Sequence, residues 1–167
     1  GDYFGPLVSA AVFVDASLGA RLKALGVRDS KTLTDKTVRR LAQEIRRIAP
    51  KEAKVTKIYP TSFNELYQKF RGEGKNLNQL LAWGHVRSIQ DLLQRGLHPK
   101  FVVVDQFADR RYIEQRLQET AREAEMDIIQ FPRAETDIAV AAASVLARDG
   151  FLEWLDHCQC IPGWSYL

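Results

Sequence analysis

The chain has 167 residues, of which 46% are hydrophobic and 27% are charged, and its formal net charge is +3. This length suits one domain with a hydrophobic core and is short for two, so we expect a single domain over residues 1–167. No apolar run approaches the roughly 20 residues of a membrane-spanning helix, so we expect no membrane partner.

Hydrophobic patterns predict strands that alternate with helices along the chain. The predicted strands share short apolar or alternating runs, and they cover 7–14, 54–59, 101–104 and 128–131. The predicted helices share apolar positions three or four residues apart, and they cover 34–49, 62–70, 76–96, 112–125 and 138–155. Strands interleaved with helices indicate an α/β domain with a partly parallel sheet.

Asp105 directly follows the run Phe101-Val102-Val103-Val104, which is typical of a strand buried on both faces. The end of such a strand is where open α/β sheets place their functional residues. Two interpretations remain open from the residues alone. Asp105 either caps the following helix or belongs to a site on which further carboxylates converge.

More acidic residues lie in the connection 132–137, Pro-Arg-Ala-Glu-Thr-Asp, which leads into an Ala-rich helix. Glu135 and Asp137 suit an ordinary helix start, because acidic side chains stabilise helix N-termini by about 0.3–1 kcal/mol each. Together with Asp105 they also suit an oxygen-rich site for a hard cation such as Mg²⁺. A pair of metal ions needs about four carboxylates, and the residues alone indicate only two or three.

Positive charge is concentrated in one part of the chain. Residues 21–57 hold 12 Lys or Arg against 4 Asp or Glu, a local charge of +8, and the remainder carries −5. This asymmetry is typical of an enzyme that binds a polyanion near a carboxylate site. The alternative is a solvated helix face, since Arg39, Arg40, Arg46 and Arg47 share one predicted amphipathic helix.

The two cysteines, Cys158 and Cys160, lie two residues apart near the end of the chain. This spacing is too close for an ordinary structural disulfide across a loop, and two thiols are too few for a zinc site. We therefore expect reduced thiols and a cytoplasmic protein.

Five segments, in the same order, resemble the type 2 ribonucleases H. They are GDYFGPLVSAAVFV (1–14), LGVRDSKTL (25–33), NLNQLLAWGH (76–85), VVVDQF (102–107) and VAAASVLAR (140–148). The DYFGPL, NLNQLLAWGH and DQF runs resemble the ribonuclease HIII branch more than the HII branch. The five segments span nearly the whole chain, and their common order makes the resemblance specific.

The resemblance implies a ribonuclease H-like fold, which is a mixed β-sheet flanked by helices. It also implies an endonuclease, a hydrolase that cleaves the RNA strand of RNA–DNA hybrids with Mg²⁺ or Mn²⁺ as cofactor. By position, Asp105 matches the family's catalytic aspartate at a strand end. Glu135 matches the acidic residue before the Ala-Ala-Ser helix, with Asp137 as the alternative. These carboxylates are expected to be the catalytic residues and the metal ligands of a two-metal phosphodiester hydrolysis.

Candidate nucleic-acid contacts also follow from the resemblance. Gly1 matches the last glycine of a glycine-x-glycine turn, where the absent side chain lets the backbone approach a polyanion closely. Asp29, Ser30 and Lys31 match a polar loop that contacts the nucleic-acid backbone. Ser144 matches a helix serine near the site, although a small residue for tight packing is an equal alternative.

The chain also departs from the family pattern. An Asp-Glu pair is expected immediately before Gly1, on a first strand that is missing from these residues, and the carboxyl end stops early. We therefore expect a partial catalytic core with impaired activity. Separately, we expect a monomer. The alternative function is a module that binds a hybrid or a duplex without cutting it.

Overall fold

Four β-strands and five α-helices lie in the parts of the chain that the computed structural model describes, residues 5–74, 76–105, 125–131 and 133–159. The strands are β1 (Leu7–Val12), β2 (Ala53–Ile58), β3 (Phe101–Asp105) and β4 (Asp127–Phe131). The helices are α1 (Ala16–Ala24), α2 (Asp35–Ile48), α3 (Pro60–Gly72), α4 (Leu77–Gln94) and α5 (Ile138–Gln159). Two 3₁₀ turns, Ser30–Thr32 and Ala134–Thr136, precede α2 and α5.

The described strands form two separate pairs. β1 and β2 are antiparallel, in a register that places Leu7 opposite Ile58. β3 and β4 are parallel, with Phe101 opposite Asp127. Strands of both orientations among helices confirm the α/β class, and the parallel pair is the one that carries Asp105 at its end.

Helices cover both faces of β1. A Cβ on Gly150 of α5 would lie 3.2 Å from Cγ1 of Val8, whereas the hydroxyl of Ser9 lies 3.3 Å from that of Ser88 on α4. Successive residues of a strand point to opposite faces. The β1–β2 pair therefore forms the middle layer between α5 on one side and α4 on the other.

The largest hydrophobic core lies between α5, β1, α1 and α2. Its members without exposed surface include Leu22, Val38, Leu41, Ala42, Ile45, Ala142, Val145 and Leu146. The first half of α5 is rich in alanine, so this helix approaches the sheet closely. The buried Ala-rich helix that the sequence predicts is therefore confirmed.

Side chains fix the starts of three helices. Asp15 accepts a hydrogen bond from the Leu18 N–H at the start of α1, and Thr34 accepts one from Thr37 at the start of α2. Asn76 forms a reciprocal capping box with Gln79 at the start of α4. These caps satisfy backbone N–H groups that have no partner inside the helix.

An apolar cavity of about 830 Å³ lies between the two strand pairs. β1 and β3 both line it, and α4 and α5 supply the remaining walls with apolar residues such as Ile89 and Val140. In the described part of the chain β1 pairs only with β2 and β3 only with β4. Each of the two strands that line the cavity therefore has one edge without a strand partner among the described residues.

One helix of the structure was not predicted, and one predicted helix lies almost wholly outside the described residues. α1 was not predicted, because its nine residues, Ala-Ser-Leu-Gly-Ala-Arg-Leu-Lys-Ala, bury only one narrow stripe that includes Leu18 and Leu22. The helix predicted over 112–125 lies outside the described residues except for Glu125. Across the described segments, no helix is long and apolar enough to span a membrane.

Candidate active site

Asp105 lies half-buried at the last position of β3. Its Oδ1 accepts a hydrogen bond from the backbone N–H of Ala134 at 3.3 Å. This bond links the end of β3 to the turn that follows β4. The carboxylate is therefore held by the connection that carries the other predicted acidic residues, and the helix that it would cap in the alternative interpretation lies outside the described residues.

Arg133 gives that connection its shape. Its backbone is left-handed, with φ 58° and ψ 42°, and it is followed by the 3₁₀ turn Ala134–Thr136. The N–H and the hydroxyl of Thr136 each lie 3.3 Å from the Arg133 carbonyl oxygen, to which they donate. The chain thus reverses sharply after β4 and enters α5 close to Asp105.

Asp137 lies at the junction between this turn and α5. Its Oδ1 accepts the backbone N–H of Ala139 at 2.8 Å and that of Val140 at 3.4 Å, as expected for an acidic residue at a helix start. Asp137 and Asp105 line the same cavity. The structure therefore brings these two predicted carboxylates to one site, whereas the Glu135 side chain lies outside the described part.

His85 of α4 lines the cavity as well, close enough to Asp105 for their charges to interact. Its removal from water lowers the pKa of the imidazole to about 4, against the opposing effect of the negative charge on Asp105. The side chain is therefore neutral at neutral pH. The sequence analysis did not predict that His85 lies near Asp105.

The donor type of this site suits a hard cation, because Asp105 and Asp137 offer carboxylate oxygens. The described hydrogen bonds engage Oδ1 of each residue and leave Oδ2 for another ligand. Within residues 5–74, 76–105, 125–131 and 133–159, no group of three or more His, Cys, Asp or Glu side chains is placed to hold a metal ion. The described residues therefore have the oxygen donors that a hard cation prefers, but they supply only part of a ligand set.

The predicted polar loop is bound to α5. Asp29 Oδ1 accepts the Lys31 N–H at 2.9 Å, and Ser30 is only 7% exposed. The Ser30 N–H lies 3.4 Å from Ser144 Oγ, which itself donates to the Ala141 carbonyl oxygen at 2.9 Å. Ser144 thus anchors the loop, and Gly1, the remaining predicted contact, lies outside the described residues.

Arg148 completes this anchor, and the sequence analysis did not single it out. Its guanidinium donates to the carbonyl oxygens of Ser30 and Leu33, the latter at 3.1 Å, and to Asp35 Oδ1 at 2.6 Å. The arginine lies four residues after Ser144, so both side chains lie on the same face of α5. In the sequence, this spacing of four residues is the feature that could have indicated Arg148 as a second residue holding the loop.

A family model described as ribonuclease HII matches residues 1–166. This chain belongs to the ribonuclease HII family. Among curated relatives, it is 46% identical over 158 residues to ribonuclease HIII of Protochlamydia amoebophila, covering 94% of this chain and 49% of that protein. It is 42% identical to ribonuclease HIII of Chlamydia pneumoniae, covering 95% of this chain and 51% of that protein.

Solved structures of ribonucleases HIII agree with the membership in the ribonuclease HII family. Bst-RNase HIII in complex with Mn²⁺ superposes with a TM-score of 0.79 at 32% identity, covering 95% of this chain and 51% of that one. Aquifex aeolicus RNase H3 superposes with a TM-score of 0.73 at 30% identity, covering 94% and 55%. The resemblance to type 2 ribonucleases H, and to their HIII branch, is confirmed. The chain spans about half the length of the relatives it matches.

Proposed function

We propose that this chain is the catalytic part of a metal-dependent endonuclease that cleaves the RNA strand of RNA–DNA hybrids. The observation that carries the proposal is the presence of Asp105 and Asp137 in the lining of one cavity, in a chain of the ribonuclease HII family. The basic segment 21–57 has a local charge of +8. Ion pairs with acidic residues elsewhere, such as Asp91, Asp149 and Asp156, offset part of it, and the remainder attracts a polyanionic substrate.

Asp105 and Asp137 are the proposed ligands of Mg²⁺ or Mn²⁺, with Glu135 as the alternative to Asp137. The metal ions would supply an activated water and charge stabilisation at the scissile phosphate. The chain itself orients the ligands. The Ala134 N–H fixes one oxygen of Asp105, and the start of α5 fixes one oxygen of Asp137. A structure solved with Mn²⁺ exists for Bst-RNase HIII, which supports a divalent cofactor for this chain too.

We also propose that the carboxylate set of these 167 residues is incomplete. The resemblance predicts an Asp-Glu pair on a further strand, and the cavity of about 830 Å³ between β1 and β3 suits one. Such a strand would pair with the edges of β1 and β3 that have no strand partner among the described residues. Its two faces would contact the apolar walls from α4 and α5, as in strands buried on both sides.

A second function is favoured by one observation: among the described residues, two carboxylates that the resemblance assigns to the site, Asp105 and Asp137, line the cavity, against an expected four. With this set alone, the chain would bind a hybrid or a duplex through its basic surface without cutting it. Such binding would weaken steeply with salt, because it rests on phosphate contacts. The cytoplasmic location and the monomeric state stay predictions from the sequence.

The Asp105→Asn variant separates the two functions. We expect slow cleavage of a uniform RNA–DNA hybrid by the wild-type chain in Mg²⁺ or Mn²⁺, and complete loss of that cleavage in the variant, because an amide cannot replace the ligand charge. Asp127→Asn, at the exposed start of β4, is the matched control and should cleave like wild type.

Three results bear directly on the proposals. Cleavage that persists in Asp105→Asn would contradict the catalytic assignment. Turnover equal to that of an intact ribonuclease HIII, abolished by Asp105→Asn, would contradict the incomplete set. Hybrid binding that depends on salt but on neither metal nor Asp105, with no cleavage, would favour the binding module.

A further inference from the structure

A second, smaller cleft of about 360 Å³ is lined by four described residues, Asp29, Lys31, Arg133 and Thr136. It joins the polar loop to the turn that carries the carboxylate site. We propose that Lys31 and Arg133 together bind one backbone phosphate of the nucleic acid and so place the strand relative to Asp105 and Asp137. This inference rests on the proposed function, and Arg133 and Arg148 are the residues that it adds.

Arg133 occupies a backbone conformation that arginine rarely adopts. Its φ of 58° and ψ of 42° lie in the left-handed region, where glycine and asparagine are the usual residues. The turn needs this conformation, because it brings the next residue, Ala134, into hydrogen-bonding distance of Asp105. A glycine would make the same turn with less strain, so an arginine here keeps a cation where the backbone alone does not require one.

The position of Arg133 is tied to the catalytic carboxylate. Only one peptide bond separates it from the N–H that donates to Asp105 at 3.3 Å. The hydrogen bonds from Thr136 to the Arg133 carbonyl oxygen hold the same turn closed. A phosphate bound by the guanidinium would therefore lie within one arginine side-chain length of a backbone turn that is fixed relative to Asp105. Arginine suits this role because it can donate two parallel N–H bonds to one phosphate.

The backbone at Lys31 is held to helix α5 by hydrogen bonds. Asp29 accepts its backbone N–H, and the preceding Ser30 is held to α5 by Ser144. Arg148 holds the carbonyl oxygen of Ser30 from the same helix face. Because α5 begins directly after Asp137, the backbone at Lys31 and the carboxylate of Asp137 are both held at this helix.

The charge balance of the cleft favours an anion. Among the described residues that line it, two side chains are cationic, those of Lys31 and Arg133, and one is acidic, that of Asp29. One oxygen of that carboxylate already accepts the Lys31 N–H at 2.9 Å. Both cations are exposed, so a strand of nucleic acid can reach them from solvent. The phosphate could also come from free inorganic phosphate, and a titration with that ion distinguishes the two sources.

The test measures the affinity of the 167-residue chain for a short RNA–DNA hybrid over a series of salt concentrations without divalent metal. Arg133→Gly removes the cation and keeps the left-handed turn, whereas Arg133→Lys keeps the cation. Arg71→Ala, on the exposed surface of α3 and outside both cavities, is the control for a general loss of positive charge.

We expect Arg133→Gly and Lys31→Ala each to weaken binding and to reduce the slope of log affinity against log salt by about one, the value for one lost phosphate contact. Arg133→Lys should keep most of the slope, and Arg71→Ala should keep all of it. Inorganic phosphate alone should bind only weakly. Because this assay contains no divalent metal, Asp105→Asn should leave the slope unchanged. The slope therefore tests the phosphate position, and the cleavage assay tests the catalytic assignment separately.

An unchanged slope in Arg133→Gly would overturn the inference, as would an equal loss in Arg71→Ala. Tight, saturable binding of inorganic phosphate would replace it with a free-anion site. Arg148 adds a test of positioning. The effects of Arg148→Lys and Lys31→Ala on the slope should be strongly non-additive if Arg148 acts through Lys31. Additive effects in folded variants would overturn the role assigned to Arg148.

Discussion

Asp105 and His85 line one apolar cavity, and the charge of Asp105 acts on the imidazole of His85. The sequence predicted the position of Asp105, because a carboxylate after a buried run of valines is a local pattern. It could not predict that Ala134 would hold the carboxylate, since that bond depends on the turn at Arg133. The neighbourhood of His85 likewise depends on how α4 packs beside β3.

The imidazole of His85 gives a prediction for stability at the scale of one residue. Its pKa falls from 6.5 in the unfolded chain to about 4 in the fold, because burial lowers it by more than the negative charge of Asp105 raises it. As the pH falls from above 6.5 towards 4, the unfolded state takes up a proton that the folded state does not bind. The free energy of unfolding should therefore decrease by up to roughly 3 kcal/mol over this range.

Urea unfolding at neutral pH and near pH 5, without divalent metal, measures this decrease. The His85→Gln variant should lose that part of the pH dependence, because its amide does not titrate. His98→Gln, at an exposed position after α4, should retain it. An equal decrease in wild type and in His85→Gln would show that another group is responsible.

At the scale of elements, close packing between α5 and the sheet determines where helices can lie. A Cβ on Gly150 would lie 3.2 Å from Val8 Cγ1 and 3.4 Å from Val55 Cγ1, so the helix approaches the strands at this glycine. The sequence predicted a closely packed helix from its run of small residues. The contribution of Gly150 was not visible, since it arises only where the helix crosses β1 and β2.

We expect Gly150→Ala to destabilise the fold by about 1–2 kcal/mol, because the added methyl group would press against Lys57 Cε at 3.1 Å and Val8 Cγ1 at 3.2 Å on the packed sheet. Gly72→Ala is the matched control, since a Cβ there meets no atom within 4 Å. That change should be neutral or stabilise the fold by about 0.5 kcal/mol through reduced chain entropy. Chemical denaturation of both variants measures the difference, and a stabilised Gly150→Ala would contradict this packing.

Helix starts and strand runs were predictable where the signal is local. The caps at Thr34 and Asn76 and the proline after β2 mark element ends that the sequence placed within a few residues. α1 was missed because its stripe of buried residues is short. The wrap of the polar loop around Arg148 was missed because it joins residues more than 110 positions apart.

For the whole molecule, the cavity between the two strand pairs matters most, because it holds the candidate metal ligands and has room for a further strand. β1 and β3 line a space of about 830 Å³ whose walls are mostly apolar and whose polar residues include Asp105 and Asp137. The sequence resemblance predicted a missing strand and two missing carboxylates. Sequence patterns alone do not give the position of such a space, because it depends on how α4 and α5 hold the strand pairs apart.

The most direct test of the account is hybrid cleavage by the chain with an added amino-terminal strand that carries an Asp-Glu pair. We predict weak cleavage by the 167 residues alone and a large gain with the extension, in Mg²⁺ or Mn²⁺. The gain should disappear with an Asn-Gln pair in the same extension and with Asp105→Asn. Equal cleavage with and without the acidic pair, or cleavage that survives Asp105→Asn, would contradict the account.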